Sequence, residues 1–355
     1  MSKIIIGMSG GVDSAVSAYL LLKKGYKVKA VFMKNWEEDD EEFCSVHRDL
    51  KDAEIVCEHL GIELKKINLS NEYWEYVFKV FLSEYKNGNT PNPDILCNSE
   101  IKFKIFLQYA LSLGADKIAM GHYVRIIKNK NNYIELIKGF DKKKDQSYFL
   151  YALSQKQLNS SIFPVGNMTK KEVRNIAIKL GFINAKKKDS TGICFIGHNK
   201  FKKFLERFFT KNFGDIITTS GEKIGEHEGL MFYTIGQRKG LKIGGNKNFS
   251  EDAWYVSKKD IKKNQLIVVQ GEKNHLLYKK KLKANNINWI SGHPPSSKFF
   301  CNAKIRYQQN DKRCIVLVKK KNIEVIFHEP QRAITSGQSV VLYLKEKCLG
   351  GGIIM

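Results

Sequence analysis

Eight residues near the start of the chain, "GMSGGVDS" (7–14), set two serines and an aspartate around adjacent glycines. Glycine permits positive φ and lets the backbone come close to a ligand. N–H groups at such a turn, with the dipole of a following helix, favour a phosphate. Ser9 and Ser14 can donate to phosphate oxygens, and Asp13 can hold the loop or a magnesium ion. The loop is neither a Walker A sequence, since no Gly-Lys-Ser/Thr follows, nor GxGxxG. Two cysteines much further on supply a different chemistry. "TPNPDILCN" (90–98) places two prolines ahead of Asp94 and Cys97, which predicts an extended backbone and a loop there. "KKKDSTGICFIG" (186–197) places Cys194 just after three lysines, and neighbouring cations raise a thiol's thiolate fraction. Cys44, Cys57, Cys301, Cys314 and Cys348 read as buried, inert thiols.

These groups need elements to position them. "IIIGMSGGVDSAVSAYLLLKKGY" (4–26) reads as apolar strand, glycine elbow and amphipathic helix. Short apolar segments at 3–7, 27–33, 62–69 and 117–121 alternate with helical patterns. One helix carries Val46, Leu50, Ala53, Cys57 and Leu60, spaced four, three, four and three. A second covers the aromatic-rich 73–85, and a third, 99–113, follows the loop "NGNTPNPDILCN". This alternation predicts an α/β fold, a doubly wound parallel sheet with its ligand crevice at the carboxyl ends of the strands. "VRIIKNKNNYIELIKG" (124–139) reads as an inserted hairpin. "SQKQ" (154–157) and "TKKE" (169–172) fit capping boxes that start two further helices. From Gly214 the texture becomes short, alternating and turn-punctuated, which predicts two small β modules with a break near 271–285. The expected domains are 1–210, 211–272 and 273–355.

Among the 355 residues, 60 Lys+Arg against 36 Asp+Glu give a net charge of +24, which points to a polyanionic partner such as nucleic acid. A lysine-rich genome accounts for part of that excess. The acidic stretch "EEDDEE" (37–42) reads as a solvated loop. Seven scattered cysteines without a CxxC pair fit neither a disulfide framework nor a zinc ribbon. No signal peptide or membrane-length apolar run is present, so a cytoplasmic location with no membrane partner is expected.

"SGGVDS" resembles the pyrophosphate loop of the ATP pyrophosphatases, which cleave ATP between its α and β phosphates. "NPDILCN", "GHYVR" (121–125), "KDQSYFLY" (144–151), "FPVG" (163–166), "KDSTGICFIG" (188–197), "TIGQRKGL" (234–241) and "LGGGII" (349–354) together resemble the tRNA-specific 2-thiouridylase family, from first strand to last. The resemblance implies a catalytic domain over 1–210 with a helical extension, a central β domain, and a C-terminal antiparallel β-barrel that contacts tRNA. It implies an ATP site of Gly7, Met8, Ser9, Gly10, Gly11, Val12, Asp13, Ser14, Met33 and Gly121, with Mg2+ accompanying ATP. Cys194 would carry sulfur as a persulfide and Cys97 would be the second nucleophile, leaving a Cys97–Cys194 disulfide. Asn92, Pro93 and Asp94 would meet the target uridine, with Asp94 the acid/base. His122, Lys144, Asp145, Gln146, Arg306, Tyr307 and Gln338 match tRNA contacts. From the residues alone, His122 reads equally as a satisfied polar group, Lys144 and Arg306 as solvated charges, and Tyr307 as core.

The implied reaction is adenylation of the C2 oxygen of wobble uridine 34, followed by sulfur transfer that gives 2-thiouridine, AMP and pyrophosphate. The resemblance also implies glutamate, lysine and glutamine tRNAs as acceptors, and a cysteine desulfurase or sulfur-relay protein as donor. Other readings are an amidating or ligating enzyme on the same loop, a cluster-dependent tRNA thiolase, and an RNA-binding protein without catalysis. The first needs no paired cysteines. A cluster usually takes four cysteine ligands, where two candidates stand here.

Overall fold

The apolar run that opens the chain forms β1 (Lys3–Met8), buried from Ile4 onward. The computed structural model describes residues 1–37, 46–189, 201–244 and 250–355. After β1 come β2 (Lys27–Lys34), β3 (Leu64–Asn68), β4 (Lys117–Ala119), the hairpin β5 (Val124–Lys128) and β6 (Ile134–Lys138), and the short β7 (Ser161–Ile162). Strands β3, β2, β1, β4 and β7 lie in that order in one all-parallel sheet. Strand addition reverses direction between β1 and β4, the point at which open α/β sheets bind ligands.

Alternation along β1 divides the core into two layers. Ile4, Ile6 and Met8 pack with Val16, Val56 and Val173, from α1 (Val12–Lys23), α2 (Val46–Leu60) and α3 (Lys170–Lys179). Ile5 packs on the other face, with Phe103, Phe106 and Leu107. Helices therefore cover both faces, as the alternating pattern requires. Both capping boxes form, Ser154 with Gln157 and Thr169 with Glu172. Such a cap contributes about 1 kcal/mol to its helix, and the second one fixes where α3 begins.

The segment before Cys97 differs from expectation. Asn92 (φ −115°, ψ 97°) caps a helix by accepting from Asp94 N at 3.1 Å, and Pro93 takes the first helical position. Proline costs nothing there, because that N–H has no helical partner anyway. The extended backbone thus ends at Asn92, and Cys97 stands in a helix, not a loop. The run continues as a π-helical stretch, Cys97–Ile105, and then Phe106–Ser112. A second π-helical turn, Trp74–Phe78, interrupts the aromatic helix. Strand β3 is shorter than the 62–69 expected, and β7 was not foreseen.

The second half is all β. β8 (Gly214–Ile217), β9 (Lys223–His227), β10 (Trp254–Asp260) and β11 (Gln265–Gln270) form one sheet in the order β10-β11-β8-β9. β12 (Tyr278–Trp289), β13 (Lys298–Lys304), β14 (Lys312–Val318), β15 (Ile323–Arg332), β16 (Ser339–Leu344) and β17 (Lys347–Ile354) close into an antiparallel barrel. Closure is made by β12, which pairs with both β15 and β17. The β5–β6 hairpin is not free-standing: Leu136 and Ile137 pair with Cys348 and Lys347, which adds it to the barrel's sheet.

All three parts meet on the segment just before Asn92. Lys259 Nζ donates to Gly88 O at 3.0 Å, Thr90 N donates to Ser336 O at 2.9 Å, and Gln338 Nε2 donates to Thr90 O at 3.3 Å. Lys259 is half-buried at this contact, and the desolvation brings its pKa down to about 8.

Candidate active site

β1 delivers Gly7 to the carboxyl edge of the sheet, between Met33 and Met120. A Cβ on Gly7 would stand 2.8 Å from Met120 Sδ and 3.0 Å from Met33 Cε. Gly10 has φ +71°, and a Cβ there would lie 2.2 Å from Asp49 O, so only glycine fits. Ser14 Oγ donates to Gly11 O at 2.9 Å and accepts from Ser9 N at 3.3 Å, which ties the loop to itself. Val12 and Met8 anchor the two ends in the core, while Ser9 stays exposed. Gly121 lets the next loop close down, since a Cβ there would be 2.9 Å from Asp13 C and Ser14 N. The result is a bare backbone cradle at the start of the twelve-residue α1. Its exposed hydroxyl and glycine backbone fit a polyphosphate.

Asp13 is held from two sides. Tyr123 Oη donates to Asp13 Oδ1 at 2.7 Å, and Lys170 Nζ donates to Oδ1 and Oδ2 at 2.7 and 2.8 Å. Lys170 also lies 2.8 Å from Asp189 Oδ1, which pairs in turn with Arg174 at 2.8 Å, and Asp189 Oδ2 pairs with Lys144 at 2.5 Å. Burial alone would raise the Asp189 pKa, but hydrogen bonds from Lys144 and Lys170 outweigh it and hold the carboxyl at about 2. Asn184 Nδ2 and Lys187 Nζ donate to Gly10 O at 3.0 and 3.2 Å, and Lys187 also pairs with Asp49 and Asp52. That changes the reading of the three lysines before Cys194: the Lys187 charge is compensated at the glycine loop. Sequence reasoning missed Tyr123, Lys170, Asn184, Lys187 and Asp189 as site residues. Lys170 was visible only as part of a capping box, and no spacing rule links it to Asp13.

Cys97 is buried among Trp36, Tyr73, Phe78, Ile101 and Phe204, in a cluster against which Met33 also packs. Asp94 stands three residues earlier on the same helix, hence on the same face. Burial raises the Asp94 pKa, against an opposing pull from Lys102. Cys194 and Cys44 lie outside the described residues, and with Cys194 so does its pairing to Cys97. Asp189 stands in the ion cluster beside Asp13, and Phe204 packs in the Cys97 cluster. Cys57, Cys301, Cys314 and Cys348 are buried. Burial pushes Cys57 up to about 11 and Cys348 up to about 12, in keeping with inert thiols.

The remaining expected contacts sit in the walls. His122 lies between the rings of Phe103 and Phe163, at 5.6 and 6.3 Å, with its Nδ1 buried and without a hydrogen-bond partner among the described residues. Burial, aided by the Lys102 charge, brings its pKa down to about 3 and keeps the imidazole neutral. Gln146 Oε1 accepts from Tyr123 N at 2.9 Å. Asp145 is buried and accepts from Gly139 N, Ser147 N and Ser147 Oγ at 3.0–3.1 Å, so its carboxylate faces the protein. In the sequence "NAKIRY" (302–307), strand alternation sets Asn302, Lys304 and Arg306 on one face and Ala303, Ile305 and Tyr307 on the other, which reads as a solvated face for the two cations. Lys304 is instead buried, 3.6 Å from Asp145 Oδ2, and β13 ends there. Arg306 Nη2 donates to Ala333 O at 2.9 Å and Ile235 O at 3.2 Å, joining barrel to central sheet. The Tyr307 ring packs 4.4 Å from Phe149.

Comparison with known proteins covers nearly the whole chain. Residues 2–198 match the profile of the tRNA methyl transferase HUP domain, 202–270 that of the tRNA methyl transferase PRC-barrel domain, and 279–354 that of the aminomethyltransferase beta-barrel domain. The chain is 55% identical to the tRNA-specific 2-thiouridylase MnmA of Francisella tularensis subsp. novicida, over 99% of each chain. It is 57% identical to the protein of the same name from Actinobacillus succinogenes, over 99% of this chain and 91% of that one. The profile descriptions speak of methyl transfer. The full-length relatives are the more specific comparison, because they match all three parts of the chain at once. Among solved structures, NMN synthetase from Francisella tularensis aligns with 57% of this chain and 76% of its own, at 18% identity and a TM-score of 0.34.

Proposed function

Since the chain belongs to the family of tRNA-specific 2-thiouridylases, we propose that the crevice between β1 and β4 activates a tRNA uridine with ATP and passes it to Cys97 and Cys194. The enzyme is a tRNA sulfurtransferase that forms 2-thiouridine and uses ATP. The observation that best supports the placement is the cradle itself. Gly7, Gly10 and Gly121 occur where a side chain would strike Met120, Asp49 or Asp13, leaving backbone and Ser9 toward the crevice.

A uridine C2 carbonyl is a poor electrophile, because its oxygen would have to leave as oxide. Attack of that oxygen on the α phosphorus of ATP makes it part of AMP and releases pyrophosphate. Residues 7–14 hold the departing pyrophosphate, whose charge the loop N–H groups offset. Magnesium accompanying ATP would supply further charge neutralisation. Asn92, Pro93 and Asp94 receive the base. Leaving the anticodon stack costs it a few kcal/mol, less than from a duplex. The uridine N3 proton passes to Asp94, whose raised pKa suits a group that takes a proton and gives it back.

Cys194 bears a persulfide whose terminal sulfur adds at C2, and AMP leaves with the old oxygen. Cys97 attacks the inner sulfur of Cys194, so an S–S bond breaks as the Cys97–Cys194 bond forms. An external thiol reductant then restores both thiols. The anchoring of Asp189 beside Asp13 and of Phe204 beside Cys97 supports this pairing, because it ties both flanks of the Cys194 segment to the crevice. We assign catalysis to 1–210, with the central sheet (211–272) and the barrel (273–355) holding tRNA. His122, Lys144, Asp145, Gln146, Arg306, Tyr307 and Gln338 line or brace the tRNA side. The proposed acceptors are the wobble uridines of glutamate, lysine and glutamine tRNAs, with sulfur from a cysteine desulfurase or relay protein.

The test is a single-turnover reaction with unmodified tRNA, ATP and a persulfide donor, followed by nucleoside mass spectrometry. One AMP and one pyrophosphate per 2-thiouridine are expected. Thiolation with ADP as product, or none at all, would overturn the proposal.

A further inference from the structure

The barrel holds a cavity of about 620 Å³ whose lining comes entirely from barrel residues and shares none with the crevice described above. It lies beside a break in strand register. β12 and β15 pair Lys279 with Gln331 and then Lys281 with Ile326, so residues 327–330 bulge out opposite the single residue Lys280. A bulge of this kind bends the strand and re-aims its side chains. The floor is made by Phe327 and by the cross-strand neighbours Cys301 and Cys314, whose Sγ atoms are 3.6 Å apart. On the lip stand Phe300, 73% exposed, and Leu344, 53% exposed.

Charge completes the picture. Lys280, Arg313 and Lys345 also border the cavity, and no ion pair with a carboxylate is found for any of them among the described residues. Lys312 and Lys319, on the same barrel, do pair with carboxylates, Glu329 at 3.8 Å and Glu324 at 3.3 Å. An apolar slot with an aromatic lip and unpaired cations is how proteins hold an unstacked base and its flanking phosphates.

Resting on the reading that tRNA is the substrate, we propose that the barrel mouth is a second RNA subsite, which accepts an unpaired nucleotide of the tRNA other than the reacting uridine. The base enters against Phe300 and the thiol floor, while Arg313, Lys280 and Lys345 face its phosphates. Stacking on one aromatic ring and neutralising one or two phosphates each change RNA affinity by about tenfold.

Two measurements test it with the full chain and full-length unmodified tRNA. The first is tRNA binding across a salt series for wild type, Phe300→Ala and Arg313→Glu/Lys345→Glu, all surface positions. Each variant is expected to weaken binding about tenfold, and the charge variant also flattens the salt dependence. The second is labelling of Cys301 and Cys314 by methyl methanethiosulfonate, read by peptide mass spectrometry. Saturating tRNA is expected to slow it at least tenfold. Affinities within twofold of wild type, or labelling that tRNA leaves unchanged, would each overturn the proposal and leave the cavity to another occupant, a protein segment included. Failure of the functional reading looks different: tRNA binds and protects the thiols, yet no 2-thiouridine forms.

Discussion

Lys170 grips both carboxylate oxygens of Asp13, at 2.7 and 2.8 Å, from 157 residues away in the sequence. An uncompensated carboxylate beside the phosphate cradle would repel ATP. The ammonium removes that repulsion and fixes the side chain against the Tyr123 hydroxyl. Lys170→Met is therefore expected to raise the KM for ATP by about tenfold, equivalent to about 1.4 kcal/mol. Lys170→Arg should recover part of the loss. In the Asp13→Asn/Lys170→Met pair the charge to be compensated is gone, so the double variant should fall short of the sum of the singles. Pyrophosphate release against ATP concentration measures all four. Additive losses would mean that the two residues do not work as a pair.

In the proposed mechanism Asp94 ties acidity to activity. Burial raises its pKa, so the ionised base is lost as pH falls through a value above the usual carboxylate range. Thiolation rate should show an acidic limb there, and Asp94→Asn should remove the limb and lower kcat about a hundredfold. The stability sign is opposite. A raised folded pKa favours the folded state while the group is protonated, and that benefit is lost as pH rises through it. Asp94→Asn should therefore raise Tm at pH 7.5.

His122 makes a prediction about stability alone. The unfolded chain protonates this histidine near pH 6.5, while burial in the folded chain brings its pKa down to about 3. Stability is thus fully present above pH 6.5 and falls as pH drops toward 3. By pH 5 the loss from this one group is about 2 kcal/mol. Replacing it as His122→Gln should flatten the fall in Tm between pH 7 and 5. A slope equal to wild type would show that the imidazole titrates normally.

Gly337 holds the barrel against the Thr90 segment. It has φ +87°, and a Cβ there would lie 2.8 Å from Thr90 N and 2.9 Å from Asn89 Cβ. Gly337→Ala should cost about 1–3 kcal/mol in urea unfolding. It should also lower kcat, because Thr90 leads directly into Asn92, Pro93 and Asp94. Wild-type turnover in a destabilised variant would separate the clamp from the chemistry.

The turn at 7–14 was legible because a strand, a glycine elbow and a helix start are local, and their residues adjoin. The parallel sheet was legible for the same reason, through apolar segments alternating with the helical stripe of Val46 to Leu60. Position in three dimensions was not. Lys170 and Lys187 looked like members of basic runs, and only the packing of α3 on α1 brings Lys170 to Asp13. The two prolines suggested an extended loop because proline biases the residue before it away from the helix, yet at the first helical position Pro93 starts one. The π-helical stretch after Cys97 carries no propensity signal. Arg306 was misplaced because strand alternation was extended beyond Lys304, where β13 ends.

The pairing of Cys97 with Cys194 is most directly tested by single serine replacements, Cys97→Ser and Cys194→Ser. Each would be given unmodified tRNA, ATP and persulfide donor, with 2-thiouridine counted by nucleoside mass spectrometry. Both variants are expected to bind ATP and tRNA yet to form no 2-thiouridine, and wild type quenched after one turnover without reductant should contain the Cys97–Cys194 disulfide peptide. Thiolation at the wild-type rate in either serine variant would contradict the two-thiol mechanism.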